Sequence, residues 1–242
     1  MKKTIYLFLT VLIVGCSSNL KKNDLTVLNL NGNVKSIKET YVNILDSLEI
    51  LGSKFQKFNE NGYLIELNYY EPNGNLSSNI IYKYDGELNV TGWNNYDADG
   101  NLVSKKKNKY DYRGNKIKEN VYKADGSLFS ETTNKYDNRG NVVHEIWDRA
   151  SEDGWDNFTY KYDDKGNKIQ ENIYGAYDSL YIKSTYKYNT KGNVIEEQAY
   201  LDNDSLKYTY NYDYDHRNNW IKKIENFKGV PQLITNRVIE YY

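Results

Sequence analysis

The sequence predicts an all-β protein. It reads as an antiparallel meander of about fifteen short strands, a curved or coiled open sheet that in its extreme form wraps toward a barrel or a shell. Three observations predict it: a tripeptide recurs at a fixed step, the turns between copies carry hairpin residues, and the aromatic content is mostly tyrosine. Lys-Tyr-Asp stands at Lys83, Lys109, Lys135 and Lys161, then continues as Lys187-Tyr188-Asn189 and Asp213-Tyr214-Asp215, always 26 residues apart. A period this strict marks one supersecondary unit stacked on its own copies. Between these turns lies a second set, "YEPNGNL", "YDADGNL" and "YKADGSL", with the same step. A turn every 12 to 14 residues is the spacing of a sandwich, barrel or meander.

In Asp-x-x-Gly the aspartate bonds forward to the backbone and the glycine accepts a positive φ, the loop of a three-residue hairpin. Gly114, Gly140, Gly166 and Gly192 hold the glycine position, and Asn218 replaces it in the last copy. Asn tolerates that conformation next best. Asp137, Asp163 and Asp215 are therefore turn formers before they are acids or ligands. The third support is composition: 26 tyrosines against 6 phenylalanines and 4 tryptophans, with only 2 prolines. Tyr suits a pleated, half-buried surface, and 15% aromatic residues exclude a disordered chain. In each hairpin the spacing sets Tyr136 opposite Val142, and Lys135 diagonal to Glu145 on one face. Lys109 with Glu119, Lys161 with Glu171 and Lys187 with Glu197 repeat that geometry, which predicts a solvated column of cross-strand charge pairs.

Along the chain, residues 1–15 read as an export signal: Lys2 and Lys3 precede an apolar run from Ile5 to Val14, too short to span a membrane comfortably. The run ends in Ile13-Val14-Gly15-Cys16, and Cys16 is the only cysteine. Intrachain disulfides are thereby excluded. Residues 16–24 read as a polar tether and 25–242 as a single β domain. Within it, "LNGNVKSIKETYVNI" and "FNENGYLIELNYY" have looser spacing and read as a capping segment. The end, "NWIKKIENFKGVPQLITNRVIEYY", reads as a closing hairpin turning at "FKGVP".

Charge is balanced, 32 Lys and Arg against 33 Asp and Glu, and no basic face for nucleic acid is evident. The compact run Lys105-Lys106-Lys107 reads as an edge or solvated feature. His144 and His216 are the only histidines, and no nucleophile–histidine set, P-loop or metal-ligand spacing accompanies them. "DADGN" at 97–101 begins like a calcium loop but has Asn108 at the twelfth position. No cofactor, metal or catalytic residue is expected. Trp147 and Trp155 flank the longest turn and are the candidate ligand-binding residues, for a sugar ring or a partner's side chain.

"YDYRGNKI", "YDNRGNVV" and "YDDKGNKI" resemble the YD repeat of RHS-like proteins, from about residue 58 to 226. With the "GNVKSIKE" opening and "RVIEYY" ending, the chain is similar to small exported YD-repeat lipoproteins of Bacteroidetes-type bacteria. The end of the signal resembles the lipobox, which implies lipid attachment at Cys16, and Ser17 after it resembles an outer-membrane sorting signal. The resemblance further implies a β-structure that in large members spirals around a toxic polypeptide, and carbohydrate binding. This chain is far shorter than those shells and lacks their Asp-Pro-x-Gly junction. The expected function is that of a non-enzymatic, lipid-anchored envelope protein offering a β surface to a protein or glycan. An envelope glycoside hydrolase with dispersed carboxylates is the alternative.

Overall fold

A computed structural model describes residues 23–45, 48–150, 155–175, 179–201 and 204–242. The signal segment, Cys16 and most of the predicted tether lie outside the described residues. After a one-turn helix, α1 (Asp24–Val27), come sixteen strands. They are β1 (Val34–Asn43), β2 (Glu49–Phe58), β3 (Leu64–Tyr70), β4 (Leu76–Tyr84), β5 (Val90–Asp97), β6 (Leu102–Tyr110), β7 (Lys116–Lys123) and β8 (Leu128–Tyr136). The second half comprises β9 (Val142–Arg149), β10 (Trp155–Tyr162), β11 (Lys168–Tyr174), β12 (Leu180–Tyr188), β13 (Val194–Leu201), β14 (Asp204–Tyr214), β15 (Trp220–Phe227) and β16 (Val230–Tyr241). Each strand pairs antiparallel with its sequence neighbours, and β1 pairs with β16, so the meander closes into a barrel with no free edge. Sixteen strands stand where about fifteen are predicted, in the most closed form that the sequence allows. The opening strands, read from sequence as a cap, are wall: β1 is the strand that seals the barrel.

The repeat motif forms the turns at one end, here the Tyr-Asp end. At each, the amide of the fourth residue meets the first carbonyl, as Gly140 N meets Asp137 O at 3.1 Å. Gly114, Gly140, Gly166 and Gly192 have φ between +78° and +83°, and Asn218 has +63°. The aspartate consumes its own carboxylate: Asp137 Oδ1 accepts from the amides of Arg139 and Asn141, and Oδ2 accepts from the Asn141 side chain, all at 2.9 Å. Asp111, Asp163 and, at the opposite end, Asp97 do the same. The calcium-like "DADGN" is thus a self-closed turn.

The tyrosine of the motif stitches hairpins together. Tyr110, Tyr136, Tyr162 and Tyr188 donate their hydroxyls to the carbonyls of Val90, Lys116, Val142 and Lys168, each 20 residues back on the adjoining strand, at 2.7–2.8 Å. Tyr84 makes the same bond to Leu64. The last copy departs: Tyr214 accepts from Asn189 and Asn193, and Tyr212 takes the ladder position on Val194. Each such bond contributes about 1 kcal/mol, and one per hairpin explains why the motif needs Tyr rather than Phe.

Just after each turn an extra residue bulges the strand. Tyr136 faces Val142 as expected, but Lys135 then faces His144 and Asn134 faces Glu145. The predicted diagonal pairs therefore separate. Lys109 faces Lys118, Lys161 faces Gln170, and Lys187 faces Glu196, to which it makes a 2.7 Å ion pair. The bulge moves the glutamates of the column to the inner face of the wall, together with the tyrosines, while the lysines stay outside.

The N-terminal segment closes the Tyr-Asp end. Asn23 caps α1 through Thr26 N and donates to Asn61 O at 2.8 Å. Asp24 accepts from Leu64 N (2.7 Å) and Tyr84 (3.0 Å). Further along, Asn29 donates to Lys191 O, and Asn31 exchanges two bonds with the buried Asn219. Leu25 and Leu30 complete an apolar core with Val34, Ile37, Phe58 and Leu64. The segment thus reaches from the β2–β3 turn to the turns before β13 and β15.

Candidate functional site in the barrel lumen

Because the repeat length equals two strands, residues at a 26-residue step fall on every second strand at one height. Glu119, Glu145, Glu171 and Glu197 do so on β7, β9, β11 and β13, facing inward. Alternate strands are separated by about 10 Å. An evenly dispersed set of carboxylates in the sequence becomes a convergent one when the sheet closes.

Between the glutamates stand tyrosines from the intervening strands. Tyr160 pairs with Glu171, Tyr186 with Glu197, and Tyr208 with Glu197 from the other side. Tyr186 donates to Glu171 at 2.9 Å and Tyr210 to Glu197 at 3.1 Å. Lysines complete part of the ring: Glu119 holds Lys106 (3.0 Å) and Lys116 (2.7 Å), and Glu171 holds Lys168 (2.6 Å). Lys168 also lies 5.1 and 5.2 Å from the ring centres of Tyr160 and Tyr186. Glu197 and Tyr186 are only 4% and 6% exposed, so these side chains shield one another.

Protonation follows from this packing. Burial tends to raise Glu119, but Lys106 and Lys116 outweigh it and hold the carboxyl below its ordinary range. Glu145 has no ion pair or hydrogen bond to its carboxylate among the described residues. Burial raises it, and Glu119 and Glu171 add repulsion against the pull of Lys116 and Lys168. Burial likewise raises Glu197, against the Tyr210 hydrogen bond. The tyrosines Tyr160, Tyr186 and Tyr210 are raised by burial and the nearby carboxylates, so their hydroxyls stay protonated as donors. The lumen offers alternating carboxyl and phenol groups, suited to hydroxyl-rich or cationic ligands. No cluster of three or more metal-ligating His, Cys, Asp or Glu occurs among the described residues.

Glu145 gives a direct test. A folded-state value above the unfolded one means that its contribution to stability is full below the unfolded value, about pH 4.3. That contribution is lost as pH rises through the raised folded value. Glu145→Gln is therefore expected to raise the thermal midpoint at pH 7.5 and leave it unchanged near pH 4. Equal shifts at both pH values would refute the assignment.

Of the two candidate tryptophans, Trp147 lies on the inner face, with the Arg149 guanidinium 4.2 Å from its ring centre. Register sets Trp147 opposite Asp156 and Trp155 opposite Asp148, so the two are not cross-strand partners. The Trp155 side chain and most of the long turn lie outside the described residues. His144 sits on the outer face against Asn157, a surface position as the sequence implies. His216 is in the β14–β15 turn, beside Arg217.

Sequence reasoning missed a second inner cluster, at the β16–β1–β2 seam. Glu39 Oε1 takes two 2.8 Å contacts from Arg237, and Oε2 takes Lys54 at 2.8 Å and Tyr41 at 2.7 Å. The Trp220 ring centre lies 3.2 Å from the Arg237 guanidinium carbon. The signal for it was faint: one acid near the start and one arginine near the end, joined only by closure.

No family model matches the chain, and no curated protein does. Among solved structures, a porin-like protein from Bacteroides uniformis aligns with 87% of this chain and 99% of its own, at a TM-score of 0.62 and 11% identity. A Photorhabdus luminescens Tc holotoxin pore (TM-score 0.31, 15% identity) aligns with 78% of this chain but 12% of its own. A TcdB2–TccC3–Cdc42 complex (0.30, 14%) aligns with 77% and 12%. At such identities a likeness speaks to fold, not to activity. The chain is a closed antiparallel β-barrel similar in fold to the porin-like protein.

Proposed function

We propose that the chain is a non-enzymatic protein of the bacterial cell envelope, tethered by lipid at Cys16, whose barrel stands in water and binds a protein or carbohydrate partner. The observation that carries this is the outer face of the wall. A barrel embedded in lipid needs an outward apolar band about 25 Å tall. Here Lys118 of β7 and Glu131 of β8, within their strands rather than at a turn, pair at 2.7 Å on the outer face with 40% and 30% of their side chains exposed. Lys105 and Lys107 in the middle of β6 continue that polar face, and Lys109, Lys135, Lys187 and Glu196 extend it to the Tyr-Asp rim. A polar wall leaves acyl chains as the means of membrane attachment, and two or more chains anchor durably. The YD-repeat character of the turns and the phenol-rich lumen support carbohydrate as ligand, with Trp147 as a stacking group and Trp155 beside the same turn; the outer membrane is the proposed site.

Three measurements test the reading. The chain without residues 1–16 is expected to remain monodisperse without detergent, and Cys16→Ala is expected to abolish acyl incorporation and release the protein from membranes. A glycan and envelope-protein screen is expected to return a specific partner. A detergent requirement for the truncated chain overturns the water-clad barrel. The alternative, a glycoside hydrolase, is favoured by one observation, the raised Glu145 carboxyl beside the ion-paired Glu171. Turnover of a glycoside that disappears in Glu145→Gln would establish it.

A further inference from the structure

The two ends of the barrel carry opposite charge at the same place in their turns. At the Tyr-Asp end the third residue of five successive turns is basic: Arg113, Arg139, Lys165, Lys191 and Arg217, between β6 and β15. At the other end the third residue is Asp99 in the β5–β6 turn and Asp125 in the β7–β8 turn. All seven side chains are exposed. The turn itself explains this: its first and fourth residues close on each other, as Asp111 O and Gly114 N do at 3.1 Å, and the third projects from the rim. Two strands separate one basic turn from the next, about 10 Å, so the five form an arc of about 40 Å.

The acids of the same rim do not cancel this arc. Asp111, Asp137, Asp163 and Asp215 are bonded into their own turns, beneath the projecting cations. Asp164 reaches Arg139 at 3.7 Å, a loose and exposed pair. Asp213 stands opposite Lys222 on the outer face. One step below the turns, Lys109, Lys135, Lys161 and Lys187 add exposed cations, of which Lys187 is paired with Glu196. Neutral groups orient several of the tips without removing their charge. Lys191 is held by Asn218 Oδ1 and lies 4.7 Å from the Tyr214 ring centre, Arg217 lies 4.0 Å from that of Tyr241, and Arg113 donates to the Tyr112 hydroxyl at 2.9 Å. Glu60 and Glu87, in the β2–β3 and β4–β5 turns, bound the arc on one side.

The N-terminal segment meets the barrel at this same end, where Asn23 donates to Asn61 O in the β2–β3 turn. Cys16 is seven residues earlier, at most about 25 Å of chain, with Lys21 and Lys22 between them. A bilayer holding Cys16 would therefore lie close to the basic rim. Tyr112, 90% exposed beside Arg113, has the amphipathic ring that suits the headgroup layer.

We propose that the Tyr-Asp rim docks on an anionic bilayer, with lipid phosphates taken by Arg113, Arg139, Lys165, Lys191 and Arg217 and with Tyr112 entering the headgroup layer. Guanidinium groups match phosphate oxygens in two-point contacts, and lysines add point charges. This rests on the envelope reading and deepens it: the barrel stands on its basic end, with Asp99 and Asp125 turned away from the membrane. Duplex nucleic acid fits less well, since the cations occupy one rim of a chain near neutrality rather than a basic face.

The test uses the mature chain, residues 16–242, with Cys16→Ser so that no acyl group contributes. Sedimentation with vesicles of equal parts phosphatidylglycerol and phosphatidylcholine at low salt is expected to show binding at least tenfold stronger than to phosphatidylcholine alone, weakening as salt rises. Arg113→Gln with Arg139→Gln and Lys165→Gln is expected to weaken it at least tenfold, with the thermal midpoint unchanged because all three side chains are exposed. Lys123→Gln with Lys183→Gln and Lys228→Gln removes as much charge toward the other end and is expected to leave binding within about twofold. Equal losses from the two triple variants would mean that binding follows total charge, which overturns the docking rim. So does the absence of a preference for phosphatidylglycerol, or retention of inorganic phosphate or duplex DNA by a chain that ignores the vesicles. Failure of the acyl-free chain to bind overturns this inference and leaves lipid attachment at Cys16 to its own test; loss of acylation at Cys16 removes the tether and leaves vesicle binding by the rim intact.

Discussion

Glu39→Ala is expected to destabilise the barrel by about 3–5 kcal/mol, the cost of removing one partner from a buried ion network and stranding the others. Arg237 and Lys54 would both lose the carboxylate. Arg237 cannot shed its charge to relieve the loss, since a guanidinium deprotonates only above about pH 12. Its Nη1 already lacks a hydrogen-bond partner. The pH dependence supplies an independent reading. Burial tends to raise Glu39, but the charges of Arg237 and Lys54 and the bonds from Lys54 and Tyr41 outweigh it, taking the carboxyl from 4.5 to about 2. Burial acts on Arg237 in the opposite sense, lowering it, while Glu39 pulls it back up. For a depressed acid the contribution is present above the unfolded value and is lost as pH falls through the folded one. The difference corresponds to about 3 kcal/mol, in line with the substitution estimate. Wild-type stability should therefore decline between about pH 4.5 and pH 2, and in Glu39→Ala that part of the decline should vanish. Denaturant midpoints across that range measure both effects. A Glu39→Ala chain as stable as wild type would mean that the seam is not held by this network.

The position of that network explains what the sequence made legible and what it hid. Turns are local: Asp137, Gly140 and Asn141 lie within five residues, so their chemistry can be read directly, and Asn218 in place of glycine confirms the conformation required. The pairing of Tyr136 with Val142 follows from the loop length. The bulge one residue later follows from no such rule, and it reverses the face of everything beyond it. That is why Glu119, Glu145, Glu171 and Glu197 read as a solvated column and prove to be lumenal. Closure is less local still. Ile37, Glu39, Ile239 and Arg237 are joined by register across nearly the whole chain, and the sequence marks neither strand as the other's partner. The end-closing segment did carry a signal, Asn23-Asp24 ahead of Leu25, a capping pattern obscured by the polar run in which it sits.

Gly92→Ala is the second substitution expected to have a large effect, for a steric rather than an electrostatic reason. A Cβ on Gly92 would lie 2.8 Å from the Lys106 carbonyl carbon and inside the contact distance of its oxygen. Both atoms are backbone of the adjoining strand, so no rotamer change relieves the overlap. Either β5 and β6 part locally, breaking ladder bonds around the Gly92–Lys107 pair, or the wall shifts as a unit. Overpacking of a well-fitted site costs about 1–3 kcal/mol, and an immovable backbone neighbour places this case at the upper end. Gly86 is the matched control. It sits in the β4–β5 turn, where an added Cβ would meet nothing within 4 Å, and Gly86→Ala should stay within about 0.5 kcal/mol of wild type. Equal denaturation midpoints for the two variants would show that the strands at Gly92 are not in close contact. A large difference would establish that this glycine is required by the wall itself.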